Sequence, residues 1–193
     1  MMRWTDLAVQ PAQRTLAAWC AALRGRLPAA SLQDVVARAA RRACGDPPLV
    51  LLAADAFRAA WDHVAGSPLE RGGLLLGEPL LADAGHAAVA AVFVRTAVPG
   101  TDGDATGYSL RLRPGVWDAA RAMLAPDEIV VGWFHSHPDL GAFFSGTDRR
   151  TQADFFRHAF SVGWVIDPLR REQAWFVGPQ SRELPDGGVV SLA

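Results

Sequence analysis

The sequence contains no lysine, since all nineteen of its basic residues are arginine. The chain therefore offers no internal lysine to an amide-forming conjugation system. Cysteine is also scarce. Its two cysteines, Cys20 and Cys44, have neither the density of a disulfide scaffold nor the C-x-x-C spacing of a zinc knuckle, and we interpret them as small buried thiols.

An excess of charge of either sign is absent, because nineteen basic side chains against twenty acidic ones leave a formal charge of −1. This balance gives no electrostatic footprint for nucleic acid or for an anionic membrane, and we expect neither as a partner. The longest apolar run, residues 87–94, is far shorter than the roughly 20 residues of a bilayer span. Asp6 and Pro11 interrupt the N-terminus where a signal peptide would be apolar, so we expect a cytoplasmic protein.

What the chain does have is the composition of a folded domain: 193 residues, of which 50% are hydrophobic and 20% are charged. A cluster of helix- and strand-breaking residues, Gly-Asp-Pro-Pro at 45–48, separates two styles of sequence. We therefore divide the chain into an N-terminal helical extension, residues 1–48, and a main domain, residues 49–193.

The periodicity of apolar residues predicts two amphipathic helices in the extension, residues 11–27 and 31–44, the second opened by Ser31 in an approximate capping box. In the main domain, strands and helices mix without strict alternation. The predicted strands are 49–52, 72–76, 87–97, 108–113, 128–137, 162–166 and 173–177, and the predicted helices are 55–65, 114–124 and 148–160. This order favours an α/β domain with a mixed or largely antiparallel sheet flanked by helices, and disfavours a doubly wound nucleotide-binding fold.

The segment from His135 to Asp148 carries the residues with the most chemistry. Side chains two apart on a strand point to the same side, so His135 and His137 can face one ion while Ser136 points away. Pro138 ends the strand, and Asp148 returns from the first turn of the next helix as an oxygen donor. Two imidazoles, one carboxylate and an exchangeable position are the pattern of a hydrolytic zinc site.

Structural explanations of the same residues stay open at this point. A His-x-His pair on a strand is often ordinary packing, and Ser145 with Asp148 approximates a capping box for the following helix. The full spacing, H-x-H-x7-S-x2-D, is expected by chance with a probability of about 4 × 10⁻⁴ in a chain of this composition. Chance is therefore a poor explanation of the pattern.

This spacing resembles the signature of the JAMM metalloproteases, the catalytically competent branch of the MPN domain family. The resemblance covers most of residues 49–178 and leaves out residues 1–48. Other segments similar to the family are Glu70 with the glycine- and leucine-rich residues 71–77, Val-Val-Gly-Trp-Phe at 130–134, and Asp167-Pro168. The resemblance implies an MPN fold, similar to the sheet sandwich of cytidine deaminases.

The resemblance also implies roles for individual residues. His135, His137 and Asp148 match the ligands of one Zn²⁺ per chain, Glu70 matches the general acid/base, and Ser145 matches the residue that stabilises the oxyanion. The chemistry is consistent with these roles. Zinc lowers the pKa of its water to about 7, a nearby non-ligand carboxylate can pass the proton to the leaving amine, and a hydroxyl can donate to the oxyanion.

Other residues with suitable chemistry have simpler explanations. Glu78 adjoins Pro79 and is interpreted as a solvated turn residue, and Asp139 either orients a ligand or is solvated in its loop. The loop Pro99–Gly107 is hypothesised to fold over an extended substrate tail. Packed or solvated imidazoles are expected at His63, His86 and His158, and core tryptophans at Trp133, Trp164 and Trp175.

The function that the resemblance implies is a zinc-dependent isopeptidase or peptidase that cleaves at the C-terminus of a ubiquitin-like protein. Its expected partners are that substrate or its conjugates and, through the N-terminal helices, enzymes of the conjugation pathway; those helices could equally form a cap on the core. The implied setting is a bacterial ubiquitin-like system, such as one in antiviral defence. Two alternatives stay open: a peptidase that matures a sulfur-carrier protein, and a metal-free MPN-type scaffold without catalysis.

Overall fold

A mixed β-sheet with helices packed against it forms the centre of the protein. The structure is a computed structural model that describes residues 14–43, 45–84, 88–100, 104–106, 109–111 and 114–192. The helices in these ranges are α1 (Leu16–Ala22), α2 (Ala29–Ala40), α3 (Ala54–Ala65), α4 (Pro114–Met123) and α5 (Gly146–Phe155). The strands are β1 (Leu49–Ala53), β2 (Gly72–Leu81), β3 (Val89–Pro99), β4 (Asp104–Thr106), β5 (Ser109–Arg111), β6 (Ile129–Ser136), β7 (Val162–Asp167), β8 (Glu172–Val177), β9 (Arg182–Glu183) and β10 (Val189–Leu192).

One eight-stranded sheet has the order β10-β1-β3-β2-β6-β7-β8-β9, and β4 pairs with β5 as a separate two-stranded sheet. β1 runs parallel to both β10 and β3, and β6 runs parallel to β7. The remaining neighbours are antiparallel. The predicted α/β domain with a mixed sheet flanked by helices is therefore confirmed. Among the described residues, no helix combines the length and the apolar character that a membrane span requires.

Both faces of the sheet are covered, which explains the continuous apolar runs of its central strands. Along β1, Val50 and Leu52 pack in the cluster that includes α3, whereas Leu49 and Leu51 pack on the opposite face with α1 and α2. Along β2, Leu74 faces a third cluster, formed with α4 and with Trp133, Phe144 and Phe156. The predicted core positions of Trp133, Trp164 and Trp175 are confirmed, since each is at most 4% exposed.

Helix α2 begins two residues before the predicted start. Pro28 occupies the N-cap position with φ −55°, and its carbonyl accepts a hydrogen bond from the N–H of Ser31. The prediction that Ser31 caps this helix is therefore wrong. Ser31 lies inside the first turn of α2 rather than at its N-cap, and no side-chain hydrogen bond from the described residues caps the start of this helix.

Strand β2 continues to Leu81, five residues past its predicted end. Pro79 is tolerated there because β6 pairs with β2 only as far as Gly77, so β6 needs no N–H from the proline position. Glu78 is 5% exposed, and its carboxylate accepts hydrogen bonds from the Arg14 guanidinium. The prediction of a solvated turn residue at Glu78 is wrong, because Glu78 lies within β2 and its buried carboxylate pairs with the partly exposed Arg14 guanidinium.

Several smaller predictions have mixed outcomes. Cys20 is a buried free thiol, as expected. The predicted loop 99–107 contains the short strand β4, and its residues 101–103 and 107 lie outside the described part of the chain, so the idea that it covers a substrate stays a prediction. Cys44 and His86 also lie outside the described residues. The division of the chain at residue 48 stays a prediction as well.

Candidate metal centre and active site

The two histidines come from the end of β6. His135 is the penultimate residue of that strand, and His137 extends its pairing with β7 by donating its backbone N–H to the carbonyl of Ile166. Alternation along the strand places both imidazoles on one side, with their Nε2 atoms 3.1 Å apart. Both side chains are almost completely buried, at 1% and 3% exposure.

Asp148 enters the site from the first turn of α5, where it forms a capping box with Ser145. The Ser145 hydroxyl oxygen accepts a hydrogen bond from the backbone N–H of Asp148, and Asp148 Oδ2 accepts one from the backbone N–H of Ser145. This orientation places Oδ1 3.3 Å from His135 Nε2 and Oδ2 3.5 Å from His137 Nε2. The capping box therefore aims the carboxylate at the histidines.

Glu70 lies two residues before β2, and its carboxyl group approaches the ring of His137. Ser136, which lies between the two histidines and points away from them, donates its backbone N–H to the carbonyl of Arg71 at 2.8 Å and accepts the Arg71 N–H at its hydroxyl oxygen. These two hydrogen bonds hold the neighbouring Glu70 carboxyl in a buried position, with Oε1 3.8 Å from His137 Nε2.

The donor set fits a zinc ion. One atom from each of His135, His137 and Asp148 can be chosen so that all three lie within 4.8 Å of one another. The two Nε2 atoms lie 3.1 Å apart, and each lies near a different oxygen of Asp148, at 3.3 and 3.5 Å; these distances are close to the edge of about 3.3 Å expected of a tetrahedron with ligands about 2.0–2.1 Å from zinc. Two nitrogens and one carboxylate with a free fourth position are a ligand set of catalytic zinc sites.

The electrostatics of the site favour a bound cation. Burial would raise the pKa of Asp148, but hydrogen bonds with His135, His137 and Ser145 outweigh it and hold that pKa well below its ordinary value. Burial lowers the pKa of His135, which favours the neutral imidazole that a metal requires. Burial raises the pKa of Glu70 to about 7. Against the effect of burial, Asp148 and Glu70 raise the pKa of His137, because both place negative charge beside its ring.

The two imidazole rings are held by aromatic neighbours. Within the described part of the chain, the Nδ1 atoms of His135 and His137 are buried without a hydrogen-bond partner. His135 instead stacks on Trp133, with ring centroids 4.5 Å apart and planes inclined by 6°, and His137 contacts the ring of Phe143 at 5.0 Å. Sequence reasoning assigned no site role to these two aromatic residues, because aromatic side chains near a strand are ordinarily core.

The loop that follows His137 is fixed by Asp167, a completely buried carboxylate at the end of β7. Its two oxygens accept hydrogen bonds from the backbone N–H groups of Asp139 and Gly141 in that loop. They also accept the N–H groups of Leu169 and Arg170 in the turn after β7. The carboxylate thereby joins two loops beside the site.

The remaining sequence candidates lie outside the donor set. Asp139 is solvated and does not orient a metal ligand. Its exposed carboxylate pairs only with Arg170 among the contacts described. His63 lies with its ring edge-on to Phe134, and the exposed His158 stacks on Phe160, so both are packed or solvated imidazoles as expected.

A match to a known protein-family profile identifies the family of this chain. The family profile described as prokaryotic homologs of the JAB domain matches residues 53–177. The chain belongs to the JAB family. The JAMM/MPN resemblance found in its sequence motifs is thus confirmed, and the matched segment contains all five residues of the JAB candidate site.

Relatives of this JAB protein include the ubiquitin carboxyl-terminal hydrolase RPN11 of Saccharomyces cerevisiae, which is 32% identical over 132 residues, or 66% of this chain and 40% of the relative. The 26S proteasome non-ATPase regulatory subunit 14 of Dictyostelium discoideum is 38% identical over 109 residues, or 55% of this chain and 34% of the relative. A solution structure of a Desulfitobacterium hafniense protein has the same fold, with a TM-score of 0.56 and 19% identity over 74% of this chain and 92% of that one. The JAB chain thus spans well under half the length of the two curated relatives.

Replacing Asp167 with asparagine should lower the free energy of unfolding by about 2–3 kcal/mol, because an amide cannot accept hydrogen bonds at both of its terminal atoms. Burial would raise the pKa of Asp167, but its N–H donors outweigh burial and lower that pKa. The stabilisation by the carboxylate is therefore fully present above the ordinary aspartate pKa of about 3.9, and is lost as the pH falls through the lower folded value.

Urea unfolding at about pH 7 and about pH 3 measures this difference. The wild type should lose more stability than Asp167→Asn between the two pH values. Asp139→Asn, which alters an exposed carboxylate of the same loop, is the matched control and should change stability by less than about 0.5 kcal/mol. Equal acid sensitivity of the wild type and Asp167→Asn would contradict the assignment.

Proposed function

We propose that this JAB protein is a zinc-dependent hydrolase that cleaves an amide bond at the C-terminus of a ubiquitin-like protein. The observation that carries the proposal is the convergence of His135, His137 and Asp148 on one point, with the buried carboxyl group of Glu70 3.8 Å from His137. Membership of the JAB family supports it.

His135, His137 and Asp148 would hold the zinc, and Glu70 would remain outside the ligand set as a base. Bound Zn²⁺ supplies Lewis acidity and lowers the pKa of a water molecule to about 7. A group that binds no metal keeps its basicity, and the buried position of Glu70 gives its carboxyl group a pKa suited to proton transfer near neutral pH.

The chain's own residues then divide the proton and charge transfers of amide hydrolysis. Glu70 accepts the proton of the attacking water at a carboxylate oxygen and returns it to the departing amine nitrogen, which cannot leave without it. Ser145 accepts the Asp148 N–H at its oxygen, so its own hydroxyl hydrogen remains available to the developing oxyanion. Ser145 is half-buried at the start of α5, where a substrate can reach it.

The substrate class rests on the relatives and on the surroundings of the site. One relative is named as a ubiquitin carboxyl-terminal hydrolase, and a second as a regulatory subunit of the proteasome. Beside the site, Leu69 next to Glu70 and Phe143 against His137 are large apolar side chains that are 45% and 48% exposed. An apolar rim of this kind suits a folded protein partner, and a glycine-rich tail allows close approach of its backbone to the buried donors. We place the activity in the cytoplasm, within a bacterial ubiquitin-like conjugation system.

Glu70→Gln should abolish cleavage, by at least about a hundredfold in kcat, while the protein still binds one zinc ion per chain. The amide keeps the shape of the side chain but cannot take a proton. Metal analysis of the purified protein and cleavage of a ubiquitin–lysine-peptide conjugate measure the two quantities. Glu183→Gln, at an exposed glutamate on β9, is the control that should cleave normally. A wild-type protein that folds but neither binds zinc nor cleaves would favour the metal-free scaffold.

Ser145→Gly should lower kcat by about 10²–10³ through loss of the oxyanion donor. Glycine is a tolerated N-cap, so the free energy of unfolding should fall by only about 0.3 kcal/mol. Ser145→Thr keeps both the hydroxyl donor and the cap and should retain activity. Cleavage rates and urea unfolding of the two variants separate catalysis from capping; a fully active glycine variant would exclude the catalytic role.

The linkage that is cleaved can be tested with two substrates that carry the same ubiquitin C-terminus. One is joined to the side chain of a lysine peptide and the other is a linear fusion to the same peptide. We expect the isopeptide to be cleaved at least about tenfold faster, because an unbranched lysine side chain enters the buried site more easily than a substituted main chain. A preference for the linear fusion would instead favour the peptidase that matures a sulfur-carrier protein.

A further inference from the structure

Gln152 is a completely buried polar residue on α5, one helical turn after Asp148. Its amide oxygen accepts the indole N–H of Trp133 at 2.7 Å, and its amide nitrogen donates to the carbonyls of Ser161 at 3.1 Å and Gly178 at 3.3 Å. An indole N–H can only donate and a carbonyl can only accept, so the orientation of the amide is determined by its partners.

The surroundings of Gln152 make room for this arrangement. Gly163 lies opposite Trp133 in the pairing of β6 with β7. A Cβ atom at position 163 would lie 2.3 Å from the ring of Phe144 and 3.1 Å from the amide oxygen of Gln152. Because Gly163 has no side chain, the Gln152 amide can lie directly beside the sheet, within hydrogen-bonding distance of the Trp133 indole.

Trp133 connects Gln152 with the candidate metal ligand His135. It lies two residues before His135 on β6, and the two rings stack in parallel at 4.5 Å. Metal-binding histidines are ordinarily oriented by a hydrogen bond to the second ring nitrogen. Within the described residues His135 Nδ1 has no such partner, so stacking on Trp133 takes the place of that hydrogen bond.

We propose that Gln152 is a positioning residue, which acts through the indole of Trp133 to hold the His135 ring and the Asp148 carboxylate in one metal-binding arrangement. Gln152 and Asp148 share a helix, whereas Trp133 and His135 share a strand. The single hydrogen bond between Gln152 and Trp133 therefore ties the ligand of α5 to the ligand of β6. This inference rests on the proposed zinc site.

Two variants test the proposal, with Zn²⁺ alone as the ligand. Trp133→Phe keeps an aromatic ring but removes the N–H donor, and Gln152→Met keeps the length of the side chain but removes the amide. Competition with a chromogenic chelator should show Zn²⁺ binding weakened about 10–100-fold in each. The double variant should lose little more than the weaker-binding single variant, because both changes remove the same contact. The visible d–d bands of the Co²⁺ form should also change.

Trp164→Phe is the matched control. The Trp164 indole also donates to a glutamine, Gln173, at 3.1 Å, but Trp164 belongs to the cluster on the opposite face of the sheet. Its substitution should leave Zn²⁺ affinity within about twofold of the wild type, whatever it does to the stability measured by urea unfolding of the metal-free protein.

Two results would overturn the positioning role. One is wild-type Zn²⁺ affinity and Co²⁺ spectra in both Trp133→Phe and Gln152→Met, and the other is an equal loss of affinity in Trp164→Phe. A wild-type protein that binds no Zn²⁺ would overturn the proposed function as well, which distinguishes that failure from a failure of the positioning role alone.

Discussion

The pairing of β2 with β6 sets the geometry on which the candidate site depends. Ser136 and Arg71 exchange two hydrogen bonds at the end of this pairing, one between backbone groups and one through the serine hydroxyl. Because His135 and His137 flank Ser136 and Glu70 adjoins Arg71, the same bonds determine the separation of the carboxyl group from the imidazoles. Two strands far apart in sequence thereby place a buried carboxyl group beside the three candidate metal ligands.

The start of α5 serves the helix and the site with the same atoms. The backbone N–H of Asp148 donates to the Ser145 hydroxyl oxygen at the start of the helix, and the Asp148 carboxylate accepts the Ser145 N–H, while the remaining lone pairs of that carboxylate face the histidines. A carboxylate at a helix N-terminus is also favoured by the helix dipole. The structural and the chemical explanations of Ser145 and Asp148 are therefore two descriptions of one arrangement.

Much of the site could be predicted because its signals are local. Strand alternation placed His135 and His137 on one side, and the Ser-x-x-Asp spacing indicated the capping box of α5. Gln152 carried no such signal, since a glutamine on a polar helix is ordinarily exposed and its three partners come from separate segments. Glu78 was misinterpreted for a related reason: the ion pair that buries it involves Arg14, which lies 64 residues away.

The helices that precede the main domain share a core with the two strands at one edge of the sheet. Trp19 of α1 and Val35 of α2 are fully buried, in one cluster with Leu49 of β1 and Val190 of β10. The family match, residues 53–177, includes only the last residue of β1 and none of β10. A fragment trimmed to the match would expose the apolar side of β3 to water, so the packed core of this protein extends beyond the segment that the family match covers.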